Sequence, residues 1–345
     1  NDKALSSYSS IITPVVLAGV VISELIGPLC AKFAFIKSHE AKIEEPDSRE
    51  IEEIENGNNI SIATWKDEKI TNEECRYSED AETIVFGISE PETAAFLGRI
   101  ASLVANHYCA VPLATYVISD DSEENILNEY LMIHRLFSLI REEVDILGSD
   151  FKVETVHSEK VSKGLIESAV NNNSKCIVIG YPSAKRLMEY KNVMETIVES
   201  TYCPVITVRC SGKLDTQNTI IPITKIEELS YVQTMIQSFA VIANHRLTML
   251  YLMPPNQTDE IIEETENDIL TWIKSRKLNS NVNYKIKSSE SYLEAIIEES
   301  AEYDLILMSA SDNLGFQRIF FGSLEEEVAK STNKTMVVVY NPRIS

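Results

Sequence analysis

The sequence has no C-x-x-C pair, no H-E-x-x-H, no G-x-S-x-G and no glycine-rich Walker lysine loop. Those absences remove the zinc, serine-hydrolase and P-loop chemistries that such motifs announce. Positive charge is also short: 31 Lys and Arg stand against 53 Asp and Glu, for a net charge of −22. Nucleic-acid binding needs a basic surface to neutralise phosphates, so no nucleic-acid partner is expected. The acidity reads instead as solubility and self-repulsion. The six cysteines (Cys30, Cys75, Cys109, Cys176, Cys203 and Cys210) are scattered, most of them in apolar runs. That usage suits a reducing compartment and buried thiols.

What is present is a repeat. Ala105-Asn106-His107 recurs as Ala243-Asn244-His245, each time at the end of an apolar-periodic helix. Cys176 to Gly180 answers Leu305 to Ser309, and Val205 to Val208 answers Met336 to Val339. These landmarks keep their order at offsets of 129 to 138 residues, far longer than a solenoid unit. Each copy is large enough to bury a core of its own.

Within the first copy, strands are predicted at 83–88, 110–118, 151–156, 176–179 and 205–208. Helices are predicted around 94–104 and over 124–147, 160–170 and 188–199. The second copy follows the same plan from Thr219 to Val339. Five strands alternating with four helices imply an α/β fold of two tandem doubly wound parallel five-stranded sheets. The expected domains are 83–212 and 216–342, joined by Gly212 to Asp215.

Residues 40–82 hold 15 acidic and 5 basic residues and read as an acidic linker, partly disordered. Ile51, Ile54, Ile60, Ile62 and Trp65 could let a short part of it dock. Before the linker, residues 11–36 form an apolar run of 26, broken by Glu24 and Lys32. The length suits a membrane-spanning helix, with 1–39 as its segment. Lys32, Lys37 and Lys42 place the following residues, 40–345, on the cytoplasmic side.

In a doubly wound sheet, ligands sit outside the carboxyl ends of the strands, at the loops after the first and fourth strands. Helix N-termini there can present N–H groups to a phosphate. His107 and His245, after a helix end, read as cations placed on a helix dipole rather than as catalytic groups.

The run from Leu305 to Val328, Leu-Ile-Leu-Met-Ser-Ala-Ser followed by Phe-Phe-Gly-Ser-Leu-Glu-Glu-Glu-Val, resembles the universal stress protein family. The resemblance implies a possible adenine nucleotide ligand, ATP, AMP or another adenine-containing molecule, in either repeat or between them. In that family an Asp ends the first strand and G-x2-G-x9-G-[ST] follows the fourth. Gly322 and Ser323 fall on the final pair of that motif. Ser309 and Asp312 stand where its first two glycines belong, and Thr224 where the Asp would be. In the first repeat Gly180 matches the first glycine, Ser183 replaces the second and Ser89 replaces the Asp. The cradle is therefore degenerate in both copies. Asp312 places a carboxylate where phosphates need positive potential.

Val15 to Phe35, with Ile22-Ser23-Glu24-Leu25-Ile26-Gly27-Pro28, looks like the last transmembrane helix of the second family of monovalent cation:proton antiporters. Some of those proteins carry tandem universal stress protein domains as a cytoplasmic tail. The resemblance implies a C-terminal fragment, beginning at Asn1, of a sodium/proton exchanger. Its partners would be the membrane and the missing transmembrane core, with paired repeats or a homodimer at the sheet edges. No transport by this piece alone, no catalytic residue, no metal and no enzyme activity are expected. The alternative is a self-contained tandem universal stress protein that binds an adenine nucleotide.

Overall fold

In the computed structural model of the chain the described residues are 81–119, 126–146, 150–181, 187–210, 216–242, 245–278, 281–310 and 324–342. The apolar run at 11–36 and the linker lie outside them. Among the described residues no helix is long and apolar enough to cross a membrane.

The first repeat runs β1 (Thr83–Gly87), α1 (Pro91–Tyr108), β2 (Val111–Ile118), α2 (Ile126–Ile146), β3 (Lys152–His157), α3 (Val161–Asn171), β4 (Ser174–Gly180), α4 (Leu187–Ser200) and β5 (Val205–Arg209). The second runs β6 (Asn218–Ile223), α5 (Glu228–Ala240), β7 (Arg246–Met253), α6 (Asp259–Ser275), β8 (Val282–Ser288), α7 (Tyr292–Ser300), β9 (Leu305–Ser309), α8 (Leu324–Ser331) and β10 (Thr335–Tyr340). The expected alternation holds, with most element ends within two residues of their observed places.

Local chemistry sets many of these boundaries. Pro91 opens α1, where its missing N–H has no helical partner to lose. Cys109 ends that helix at φ 49°, and its N–H caps the carbonyls of Ala105 and Asn106. The Thr258 hydroxyl caps α6 through the Ile261 N–H, and Ser291 caps α7 through Glu294. The two histidine landmarks differ: His107 lies in the last turn of α1, whereas α5 ends at Ala240, before His245.

The strand order is β3-β2-β1-β4-β5-β10-β9-β6-β7-β8. Every pairing is parallel except β5 with β10, which run antiparallel in the register Val205↔Tyr340 to Arg209↔Met336. The two five-stranded sheets are thus one ten-stranded sheet. Both seam strands are covered on both faces, as interior strands are. The outermost strands, β3 and β8, alternate exposed and covered positions instead.

Each face carries one core that spans both repeats. Ile84, Phe86, Val178, Val208, Leu305 and Val337 look toward α1, α2, α5 and α6. Val85, Ile177, Val205, Ile306 and Val338 look toward α3, α4, α7 and α8. The switch of neighbouring positions between faces is the period-2 geometry of a strand. Helices α1 and α5 meet across the seam, where the Tyr108 and Thr234 hydroxyls are 3.1 Å apart. On the other face the Arg209 guanidinium donates to the Ala329 carbonyl, tying β5 to α8.

Two expectations need correction. Cys109 is disulfide-bonded, whereas Cys176, Cys203 and Cys210 are free thiols. Cys109 is the exposed residue that caps α1 and does not lie inside an apolar strand. His107 is not a ready dipole cation, because burial lowers its pKa and favours the neutral ring. His245 is fully buried, with its Nε2 3.3 Å from the Thr216 hydroxyl.

Candidate functional site

The carboxyl ends of β1 and β4 lie side by side, because those strands pair in parallel as far as Gly87↔Ile179. Strand β1 is also the point where the order reverses, with β2 on one side and β4 on the other. A crevice at such a switch point is the ordinary ligand site of an open α/β sheet. Here it is a cavity of about 220 Å³. Two of the sequence-predicted residues, Ser89 from the loop after β1 and Gly180 at the end of β4, line it together.

Thr93, Thr115, Tyr116 and Tyr181 also line the cavity and were not singled out from sequence. Thr93, in the first turn of α1, and Tyr181, just past β4, could have been found by position, whereas Thr115 and Tyr116 lie within β2. Burial raises the Tyr116 phenol, and Glu129 adds to the rise, so it stays a neutral hydrogen-bonding group. Thr115 is tied away from solvent. Its hydroxyl is 2.9 Å from that of Ser168, which donates to Glu154 at 2.5 Å. The wall behind the cavity is tight. A Cβ on Gly164 of α3 would stand 2.8 Å from Val117 Cγ1, so only glycine lets α3 approach β2 this closely. Gly180 is different: its Cβ would meet Leu97 and Thr93 at ordinary distances of 3.4 Å and more.

The N-terminus of α1 is a poor phosphate cradle. Pro91 has no N–H, and the N–H groups of Thr93 and Ala94 donate to the Glu90 carbonyl at 3.2 and 3.1 Å. Glu90 itself lines the cavity. Phosphate contacts would fall to the stretch after β4, where residues 182–186, including Ser183, lie outside the described residues. The lining is suited to holding a small polar or ring-shaped molecule by hydroxyls. Among the described lining residues the titratable groups are Glu90, Tyr116 and Tyr181.

In the second repeat Thr224 follows β6 and Ser309 ends β9, as their spacing predicts. Gly322, Ser323 and Asp312 lie outside the described residues. Strands β6 and β9 pair only at Thr219↔Leu305 and Ile220↔Ile306, and the ladder stops short of Pro222, which has no N–H to give. Thr224 is engaged internally: its hydroxyl donates to Glu228 Oε1 at 2.6 Å and its N–H to Glu228 Oε2 at 3.3 Å. Burial raises Tyr251 nearby, and Glu227, Glu228 and Asp268 raise it further, so this strand end is electronegative.

The two strand ends face opposite ways. Because β5 and β10 are antiparallel, all strands of one repeat oppose those of the other. A ligand shared between the two switch points is excluded by that geometry.

No protein-family model matches the sequence, and no curated protein matches it. The fold does have solved counterparts. A universal stress protein from Archaeoglobus fulgidus DSM 4304 superposes with a TM-score of 0.51 at 13% identity, over 76% of this chain and 98% of that one. The cytoplasmic domain of a prokaryotic cation chloride cotransporter gives 0.49 at 11% identity, over 76% and 96%. A universal stress protein from Archaeoglobus fulgidus in complex with dAMP gives 0.30 at 18% identity, over 36% and 96%. At these identities the likeness is one of fold: the chain has a universal stress protein-like α/β architecture.

Proposed function

We propose that the chain is a non-catalytic regulatory module, the cytoplasmic tail of a membrane monovalent cation:proton antiporter, which senses a small adenine-containing ligand. The observation that carries the sensing role is the cavity at the ends of β1 and β4, lined by hydroxyls from Ser89, Thr93 and Tyr116. It has room for a small ligand, and its described lining carries no His, Cys or Lys. The antiparallel seam supports the role, since it joins both repeats in one ten-stranded sheet with a continuous core on each face. The membrane assignment rests on residues 22–28 and on the acidic tether that follows them.

Two measurements test this reading. Calorimetry of the full chain with ATP, AMP and adenosine is expected to show micromolar binding without turnover. Absence of binding, or release of product, overturns the sensing role. Fractionation of cells expressing the full chain is expected to leave it in carbonate-washed membranes. Recovery in the soluble fraction, or an upstream reading frame without membrane helices, overturns the antiporter assignment. Soluble recovery together with nucleotide binding would favour the self-contained tandem protein.

A further inference from the structure

The two strand ends are not equivalent, and the difference lies in one carboxylate. In the first repeat the place after β1 is a cavity beside Ser89. In the second, Glu228 reaches back from the first turn of α5 and takes both the hydroxyl and the N–H of Thr224. The start of α5 is closed, as that of α1 is. The N–H groups of Glu228, Leu229 and Ser230 donate to the carbonyls of Lys225, Ile226 and Glu227 at 3.2, 3.1 and 3.0 Å. A helix N-terminus normally leaves such groups for an outside acceptor. Here a tight turn consumes the amides, and the helix dipole favours a resident carboxylate there. Tyr251 is raised first by burial and then by Glu227, Glu228 and Asp268, so carboxylates already gather at this strand end.

We infer that the module takes a single ligand, in its first repeat, and that Glu228 is the built-in occupant of the matching place in the second. This rests on the sensing reading for the first cavity and adds the stoichiometry and the plug. The carboxylate does for Thr224 what a ligand acceptor would do, so the second strand end is satisfied without one. The module is thereby asymmetric: one end reports ligand, and the other is held in a fixed state.

The test counts sites by calorimetry on the full chain, with adenosine and ATP in parallel titrations. Wild type is expected to bind one equivalent. Gly180→Val, whose Cγ atoms enter the first cavity, is expected to lose it. Glu228→Ala is expected to gain a second equivalent. Ser89→Tyr repeats the first-cavity block from an exposed loop position, should Gly180→Val fail to fold by circular dichroism. Two equivalents in wild type, or one equivalent unchanged in Glu228→Ala, overturn the plug. A single site that survives both Gly180→Val and Ser89→Tyr overturns the placement in the first repeat. No binding in wild type but one equivalent in Glu228→Ala upholds the plug and rejects the sensing cavity. No binding in any variant rejects both.

Discussion

Val208 of β5 and Val337 of β10 face each other across the antiparallel seam, both fully buried. This pair lies where two separately patterned repeats become one sheet. Its side chains belong to the same core as Phe86 in the first repeat and Leu305 in the second. The seam therefore couples the stability of the halves, and residues on it are expected to act on both.

Val337→Asp tests that coupling. An unpaired carboxylate at this position has no described cation beside it and is expected to destabilise by on the order of 4 kcal/mol. Urea unfolding followed by fluorescence is expected to show one transition in wild type and an early loss of both halves in the variant. A variant in which the first repeat keeps its full stability would show that the halves are independent.

The pair formed by Arg99 of α1 and Glu143 of α2 lies 2.5 Å apart, with Arg99 almost wholly buried. Burial raises the Glu143 carboxyl above its usual range and outweighs the opposing pull of Arg99. The folded state therefore holds this proton more tightly than the unfolded chain does. Its contribution to stability is present below the ordinary value of 4.5 and is lost as pH rises through the raised folded value. Glu143→Gln is expected to remove this part of the pH dependence. Arg99→Met, which leaves Glu143 without its cation, is expected to destabilise by about 3–5 kcal/mol at pH 7. Thermal melts from pH 4 to 8 check both; an unchanged profile in Glu143→Gln would reject the assignment.

Gly164→Ala brings two principles into conflict. Alanine gains up to about 1 kcal/mol of helix propensity over glycine. The added Cβ, however, meets both Val117 methyls below 3 Å, and β-branched valine cannot swing away. Overpacking of about 1–3 kcal/mol is expected to win. Val117→Ala in the same chain is expected to recover part of the loss. Chemical denaturation of the two singles and the double measures the coupling, and additive losses would contradict this account.

The free thiols are expected to be inert in the folded protein. Burial pushes Cys203 up to about 11 and Cys210 up to about 12, and it raises Cys176 as well. At pH 8 all three lie far on the thiol side of their titration, and the thiolate is the reacting species. Peptide mapping after maleimide treatment is expected to find these positions unmodified in buffer and fully modified in urea. Rapid native labelling at Cys203 would mean that the loop before β5 opens.

Much of the site was legible because strand ends can be counted along a chain. Strand order pointed to the loops after the first and fourth strands, the family resemblance singled out Ser89 and Gly180 there, and β1 pairing with β4 brings them together. Tyr116 and Thr115 were not legible, since nothing in a strand's own pattern says which of its last residues border a crevice. The Thr224–Glu228 contact was also hidden. A glutamate in the first turn of a helix is the common dipole arrangement, and only the fold turns its carboxylate back onto the preceding loop.

The amino-acid order by itself determined the repeat, the alternation of strand and helix, and the apolar and polar faces of each element. All three are periodicities imposed by local backbone geometry. Whether the two sheets would stay apart, join in parallel or join head to head was left open by those periodicities. Strands β5 and β10 are covered on both sides, and their residue pattern would satisfy any of these arrangements. Tertiary structure chose the antiparallel join, in which β5 and β10 pair the N–H and C=O groups that each repeat alone would leave at an edge. From that choice follow the shared cores and the opposed strand ends. The contact of Thr224 with Glu228 was likewise settled by three-dimensional packing that no periodicity carries.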